Sequence, residues 1–154
     1  MIQQFSEEST VRSIDFEANF ESLSPLREFV GQAARDCGLN PKAVYAVQMA
    51  VDEGFTNIIE HAYGGECRED IRCTCKINQD KLTIVLQDCG QPFKPDEVPD
   101  PDLNASLQER KAGGLGLFFM RQLMDEVSFT FAVEDEEKGG CNILTMVKRK
   151  EGNS

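Results

Sequence analysis

The sequence predicts an α+β fold, a two-layer α/β sandwich in which helices cover one face of a mixed, mostly antiparallel sheet. Three observations lead there. In some stretches apolar residues recur at steps of three and four, the period of a helix packed on one face. In others they alternate with polar residues, the period of a strand. The length, 154 residues, suits one domain, 1–154, and no internal repeat or linker-like stretch divides it.

The elements follow in order. Val11–Phe16 forms a short strand. Ser24 at the cap and Pro25 at the first helical position open a helix that runs to about Cys37, and Gly38 is placed to end it. Asn40 and Pro41 repeat the start signal for a longer helix, which reaches about Tyr63 and stops at Gly64 and Gly65. Ile71, Cys73, Cys75 and Ile77 alternate in a second strand. Asn78–Asp80 turns the chain into a third, carried by Leu82, Ile84 and Leu86 and ending at Asp88. About twenty residues with four prolines follow, from Gly90 to Ala112. A third helix begins near Gly114–Gly116 and runs to about Glu126. Val127–Val133 and Asn142–Lys148 complete the strands, joined by the acidic segment Glu134–Gly140. The folded core spans about 11–149.

Composition narrows the function. Sixteen basic and twenty-seven acidic side chains leave a net charge of −11, which offers no basic stripe for a phosphate backbone or anionic lipid. No apolar run approaches the ~20 residues of a membrane span. The first residues lack the basic start and apolar stretch of a secretory signal. The expected setting is the cytoplasm, with no direct nucleic-acid or membrane partner. Six cysteines and one histidine lack the paired spacing of a zinc site. Cys73 and Cys75, two apart on a strand, pack as small core residues, and the expectation is reduced thiols throughout.

Several residues sit where local preference would not put them. Val44, Val47, Val51, Phe55, Ile58 and Ala62 make one buried stripe on the second helix. Glu53 and Asn57 are neighbours on another face, roughly 120–160° away, with His61 one turn further. Gly54 between them costs a helix about 1 kcal/mol relative to alanine. Such a break marks either a functional site or a close approach by another element. Asp88 shares its strand face with Leu82, Ile84 and Leu86, so its carboxylate points inward and needs a donor, from turn amides or a ligand amino group. Thr145 is placed on one face with Cys141, Ile143 and Val147. Gly113, Gly114, Leu115, Gly116 and Leu117 stand at a helix start, where amides and dipole can cradle phosphate, with Arg110 and Lys111 just upstream. The long stretch before it, about 91–112, could act as a lid.

Together these features resemble the ATPase superfamily shared by gyrase, histidine kinases and MutL repair proteins, with its GHKL, or Bergerat, ATP-binding fold. Within it the chain is most similar to the bacterial anti-sigma factor serine/threonine kinases. Glu53, Asn57, His61, Ala62 and Tyr63 match the N box, E-x-x-x-N followed by H-A-Y. Asp88, Gly90 and Phe93 match a first glycine box, D-x-G-x-x-F, and Gly113–Leu117 a second. Asn142–Lys148 resembles the last strand that closes the adenine pocket.

The resemblance implies ATP and Mg²⁺ as cofactors. Asn57 would hold the Mg²⁺ that bridges the phosphates, and Glu53 would accept the proton of the attacking hydroxyl. Asp88 would accept a hydrogen bond from the adenine amino group, assisted by Thr145, and Gly90 would let the backbone pass close to the base. Gly113–Gly116 would wrap the phosphates with Lys111 or Arg110. His61, Phe93, Leu115 and Leu117 fall within the matching motifs. The implied function is phosphorylation of a STAS-type anti-anti-sigma protein and sequestration of a sigma factor by a homodimeric, partner-switching kinase. The alternative is a non-catalytic, nucleotide-dependent switch of the same fold. Cys89, inside the first glycine box, either packs or is an oxidation-sensitive point.

Overall fold

The structure, a computed structural model, describes residues 9–92, 112–135 and 139–151. Its strands are β1 (Thr10–Glu17), β2 (Asp70–Ile77), β3 (Lys81–Asp88), β4 (Glu126–Asp135) and β5 (Gly139–Arg149). Its helices are α1 (Leu23–Cys37), α2 (Pro41–Asn57) and α3 (Ala112–Leu123). The strands form one sheet in the order β1-β2-β3-β5-β4. The sheet, expected to be mostly antiparallel, is antiparallel at every described pairing. The chain passes through α3 and β4 between β3 and β5, and returns running opposite to β3.

Alternation decides what the sheet buries. Ile71, Cys73 and Cys75 on β2, and Leu82, Ile84 and Leu86 on β3, are fully buried beneath the helices. Leu26 and Val30 of α1, Val47, Val51 and Phe55 of α2, and Met120 of α3 meet them in one core. Phe16 on β1 sets its ring edge-on to Phe29 and Phe55, with centroids 6.1 and 6.4 Å apart. Arg27 of α1 pairs with Asp52 of α2 at 2.8 Å, part-buried between the two helices.

Helix ends show how local signals were used. Asn40 caps α2, its Oδ1 accepting from the Ala43 amide at 2.8 Å, and Pro41 follows as expected. Gly38 ends α1 in the left-handed region, φ +91°. The start of α1 lies earlier than Ser24. Asn19 Oδ1 accepts from the Ser22 amide at 3.1 Å and opens a 3₁₀ turn, Phe20–Ser22, that leads directly into Leu23. Pro25 is tolerated because amides of a first turn have no helical partner to lose. At its other end α2 passes into a π turn, Ile58–Ala62, in which the Tyr63 amide reaches the Ile58 carbonyl at 3.1 Å.

The cysteines divide. Cys37, Cys73 and Cys75 are buried and reduced, and the hydrogen bond between Cys73 and Cys75, then burial, pushes the Cys73 thiol far above its usual range. Cys89 and Cys141 correct the expectation of six free thiols, because they form a disulfide. The β3–β5 register places Asp88 opposite Asn142, so the next residues outward, Cys89 and Cys141, face each other. Among the described residues no helix is long and apolar enough to cross a membrane.

The Asn40 cap supplies a stability test. Asn40→Ala should cost about 1 kcal/mol. Urea unfolding should show this as a lower midpoint at unchanged slope.

Candidate functional site

A pocket opens where the end of α2, the body of α3, the end of β3, the middle of β4 and the first half of β5 converge. Asn57, Asp88 and Asn142 supply polar groups to its wall, and Ile58, Met120 and Phe129 supply apolar surface. Such a mixture suits a flat ligand with a polar edge.

Asn57 is buried at 9% exposure, and its Nδ2 has no hydrogen-bond partner among the described residues. A buried amide is seldom left so, since the desolvation penalty is about 1–3 kcal/mol. The other such atom, Asp52 Oδ1, belongs to a carboxylate whose second oxygen Arg27 holds. Glu53, one turn before Asn57, is half-buried. Burial, followed by the nearby charges of Asp52 and Glu60, raises its pKa above the ordinary glutamate value. Gly116 lies directly over the pair: a Cβ there would fall 2.8 Å from Glu53 Oε2 and 3.5 Å from both ends of the Asn57 amide. The end of α2 and the glycine segment of α3 therefore meet through Glu53, Asn57 and Gly116.

Gly54 has a different reason. A Cβ on it would come within 2.8 Å of Leu144 and 3.2 Å of Leu86, so the glycine lets α2 settle onto the sheet. Leu117 is buried in the core at 4% exposure. Gly113, Gly114 and Leu115 belong to the first turn of α3, which starts at Ala112 rather than after the glycines. Phe93, Arg110, Lys111 and nearly all of the expected lid lie outside the described residues.

Asp88 is 2% exposed at the end of β3. Its Oδ1 accepts from the Gly90 amide and from Asn142 Nδ2, both at 2.9 Å. Burial pushes its pKa up, and those two bonds oppose the shift. Both donors thus come from within the chain, and the wall residue beside Asp88 is Asn142 instead of Thr145. Thr145 pairs with Val85 on the opposite face of the sheet, which corrects its expected place in the pocket. Sequence reasoning missed Asn142, although it is a polar residue two positions from Leu144 and four from Met146, both on the inner face. Cys141, Ile143 and Val147 made the wrong face look equally apolar.

The π turn shapes the remaining edge. The Ala62 carbonyl accepts from the Gln91 amide at 2.8 Å, and a Cβ on Gly90 would lie 2.5 Å from that same oxygen. Gly90 is therefore needed for a close backbone approach to Ala62. Tyr63 Oη accepts from the Cys89 amide at 3.3 Å and donates to the Asp70 carbonyl at 3.2 Å. Asn142 Nδ2 also donates to the Gln91 carbonyl at 2.8 Å. His61 is exposed on the π turn and does not line the pocket.

Two outcomes follow. Gly90→Ala forces a methyl against backbone and should destabilise by about 1–3 kcal/mol in urea unfolding. Glu53 contributes most when protonated, because its folded pKa is raised, and ionisation within the site costs stability as pH climbs through that value. Glu53→Gln should therefore raise the urea midpoint at pH 8. The gain should shrink as pH falls toward the ordinary value of 4.5.

Comparison with known proteins identifies the family. The family model of the histidine kinase-like ATPase domain matches residues 16–148. The chain is 31% identical over 137 residues to the Serine-protein kinase RsbW of Halalkalibacterium halodurans, covering 85% of this chain and 78% of that protein. It is 29% identical over 123 residues to Serine-protein kinase RsbW of Listeria monocytogenes, covering 77% and 78%. A solved structure of the RsbU and RsbW domains of Rv1364c from Mycobacterium tuberculosis superposes with a TM-score of 0.62 at 15% identity. That likeness, one of fold, covers 91% of this chain and 32% of the longer one. A family match across nearly all of the sheet and helices, with relatives matched over most of their length, leads to one assignment. The chain belongs to the histidine kinase-like ATPase domain family and is similar to the RsbW serine-protein kinases within it.

Proposed function

We propose that this chain is an ATP-dependent protein serine/threonine kinase whose substrate is a STAS-type anti-anti-sigma protein, and that it also sequesters a sigma factor. The observation that carries the proposal is Asn57 Nδ2, buried without a hydrogen-bond partner among the described residues, one turn from Glu53 and beneath Gly116. An amide offers an oxygen to a cation and N–H groups to phosphate oxygens, so the donor set fits a Mg²⁺–triphosphate. Mg²⁺, when bound, neutralises charge on the transferring phosphoryl group.

The protein groups then have distinct tasks. Both described bonds to Asp88 fall on Oδ1, which leaves Oδ2 as the acceptor for the adenine amino group. Asn142 holds the carboxylate in that orientation. Glu53 accepts the proton of the substrate hydroxyl as its oxygen attacks the γ-phosphorus and ADP leaves, and a raised pKa suits a base that must take up a proton. The first turn of α3, with Gly113–Gly116, presents amides to the phosphates, and Lys111 or Arg110 adds positive charge. Cytoplasmic location and homodimerisation belong to the same proposal, the latter tested by sedimentation.

Calorimetric titration with ATP and ADP, with and without Mg²⁺, is the test. Binding should require Asp88: Asp88→Asn keeps an Oδ1 acceptor for Gly90 and Asn142, so the fold persists while the charged acceptor for adenine is lost. Glu53→Ala should still bind nucleotide but transfer no phosphate to the STAS protein. If Glu53→Ala transfers phosphate normally, Glu53 is not the base. If that variant fully preserves partner regulation, the non-catalytic switch is the better account. No binding of wild type at millimolar nucleotide would remove the proposal.

A further inference from the structure

The Cys89–Cys141 disulfide stands beside the pocket, and nothing in the phosphotransfer scheme uses it. Its position is specific. Cys89 directly follows Asp88 and Cys141 directly precedes Asn142, the two residues paired across the end of the β3–β5 ladder. Asn142 donates to Asp88 Oδ1 and to the Gln91 carbonyl. The Cys89 amide donates to Tyr63 Oη, and the Gln91 amide to the Ala62 carbonyl. The covalent link is thus enclosed by four hydrogen bonds that fix where the chain leaves β3 and how Asp88 is aimed. Without it, the last pair of the ladder loses its covalent tie at a sheet end where pairing readily frays.

Access is equally specific. Cys89 is exposed and Cys141 half-buried, whereas Cys37, Cys73 and Cys75 are buried. Thiol–disulfide exchange needs a reachable sulfur, so this pair is the place where a small oxidant or reductant acts. Cys67, half-buried, has no disulfide partner and serves as a built-in control.

We propose that Cys89 and Cys141 form a reversible oxidation site that sets nucleotide affinity by locking or releasing the Asp88–Asn142 pair. This rests on the nucleotide-site reading above. The oxidant is a low-molecular-weight disulfide of the glutathione type. One cysteine thiolate attacks it, forms a mixed disulfide and expels a thiolate. The second cysteine then attacks the mixed disulfide at the protein sulfur and expels the other small thiolate. Two electrons pass from the protein dithiol to the oxidant, which leaves as two thiols carrying the two protons. A dithiol reductant reverses the sequence.

The test uses the full chain equilibrated with oxidised glutathione or with dithiothreitol. Thiol titration after denaturation should count two fewer thiols in the oxidised form. The oxidised form should bind ATP about tenfold more tightly, within the usual range for coupled sites. Saturating ATP should make the disulfide harder to reduce by the same factor, because coupling is reciprocal. Cys141→Ser and Cys89→Ser should each bind like the reduced protein under both conditions, and Cys67→Ser should keep the full redox response. Equal ATP affinity of oxidised and reduced wild type, or equal thiol counts, overturns the switch and leaves the nucleotide site standing. If neither form binds ATP, the switch and the nucleotide site fall together.

Discussion

The antiparallel register between β3 and β5 sets Asp88 opposite Asn142, and the rest of the site is organised around that pair. A carboxylate with 2% exposure is tolerable only when donors replace water, and the register brings one from a strand 54 residues away. Gly90 supplies the second donor by turning back immediately after the strand. That turn is possible because Gly90 lacks a side chain where it meets Ala62, and because Ala62 sits at the end of a widened helical turn. Sheet pairing, turn and helix end are thus conditions for one another, met around Asp88 Oδ1 and the Ala62 carbonyl.

Helix α2 serves two demands that pull apart. Its stripe through Val47, Val51 and Phe55 is fully buried and holds the helix against the sheet. Its polar pair, the half-buried Glu53 and the buried Asn57, lies on another face, with Asn57 in the pocket wall. Gly54 reconciles them by allowing the helix axis to sit close to Leu86 and Leu144, which lowers Asn57 into the pocket. The helix propensity lost at this glycine, about 1 kcal/mol, is offset by the closer packing it permits.

How much was legible in the sequence depended on how local each signal was. Gly38, Asn40 and Pro41 were readable because a cap acts on amides within one turn. The core face of β3 was readable because Leu82, Ile84 and Leu86 recur at every second position, flanked by Lys81, Thr83 and Gln87 with Val85 the one apolar exception. β5 was not, because Cys141, Ile143 and Val147 on one face rival Leu144 and Met146 on the other, and only pairing with β3 separates them. That choice of face displaced Thr145 from the pocket and hid Asn142. The disulfide was hidden for the same reason: no property of Cys89 or Cys141 alone tells which strand ends meet. Asn57 and Asp88 drew attention because each breaks a local rule, and Glu53 because it is the helical neighbour of Asn57; such signals need no knowledge of the rest of the fold.

The π turn at Ile58–Ala62 fits one more residue into its turn than an α-helix would, so the residues after it are rotated relative to those before. One residue of an α-helix is about 100° of rotation, enough to exchange an inner for an outer position. Phase, rather than distance along the chain, thereby accounts for His61 facing outward only four residues beyond the buried Asn57, while Tyr63 swings round to meet the end of β3. The segment Glu53–Tyr63 is therefore written across two helical registers. Removing a single residue from 58–62 would restore one register and send the aromatic ring and its hydrogen bond to the wrong side.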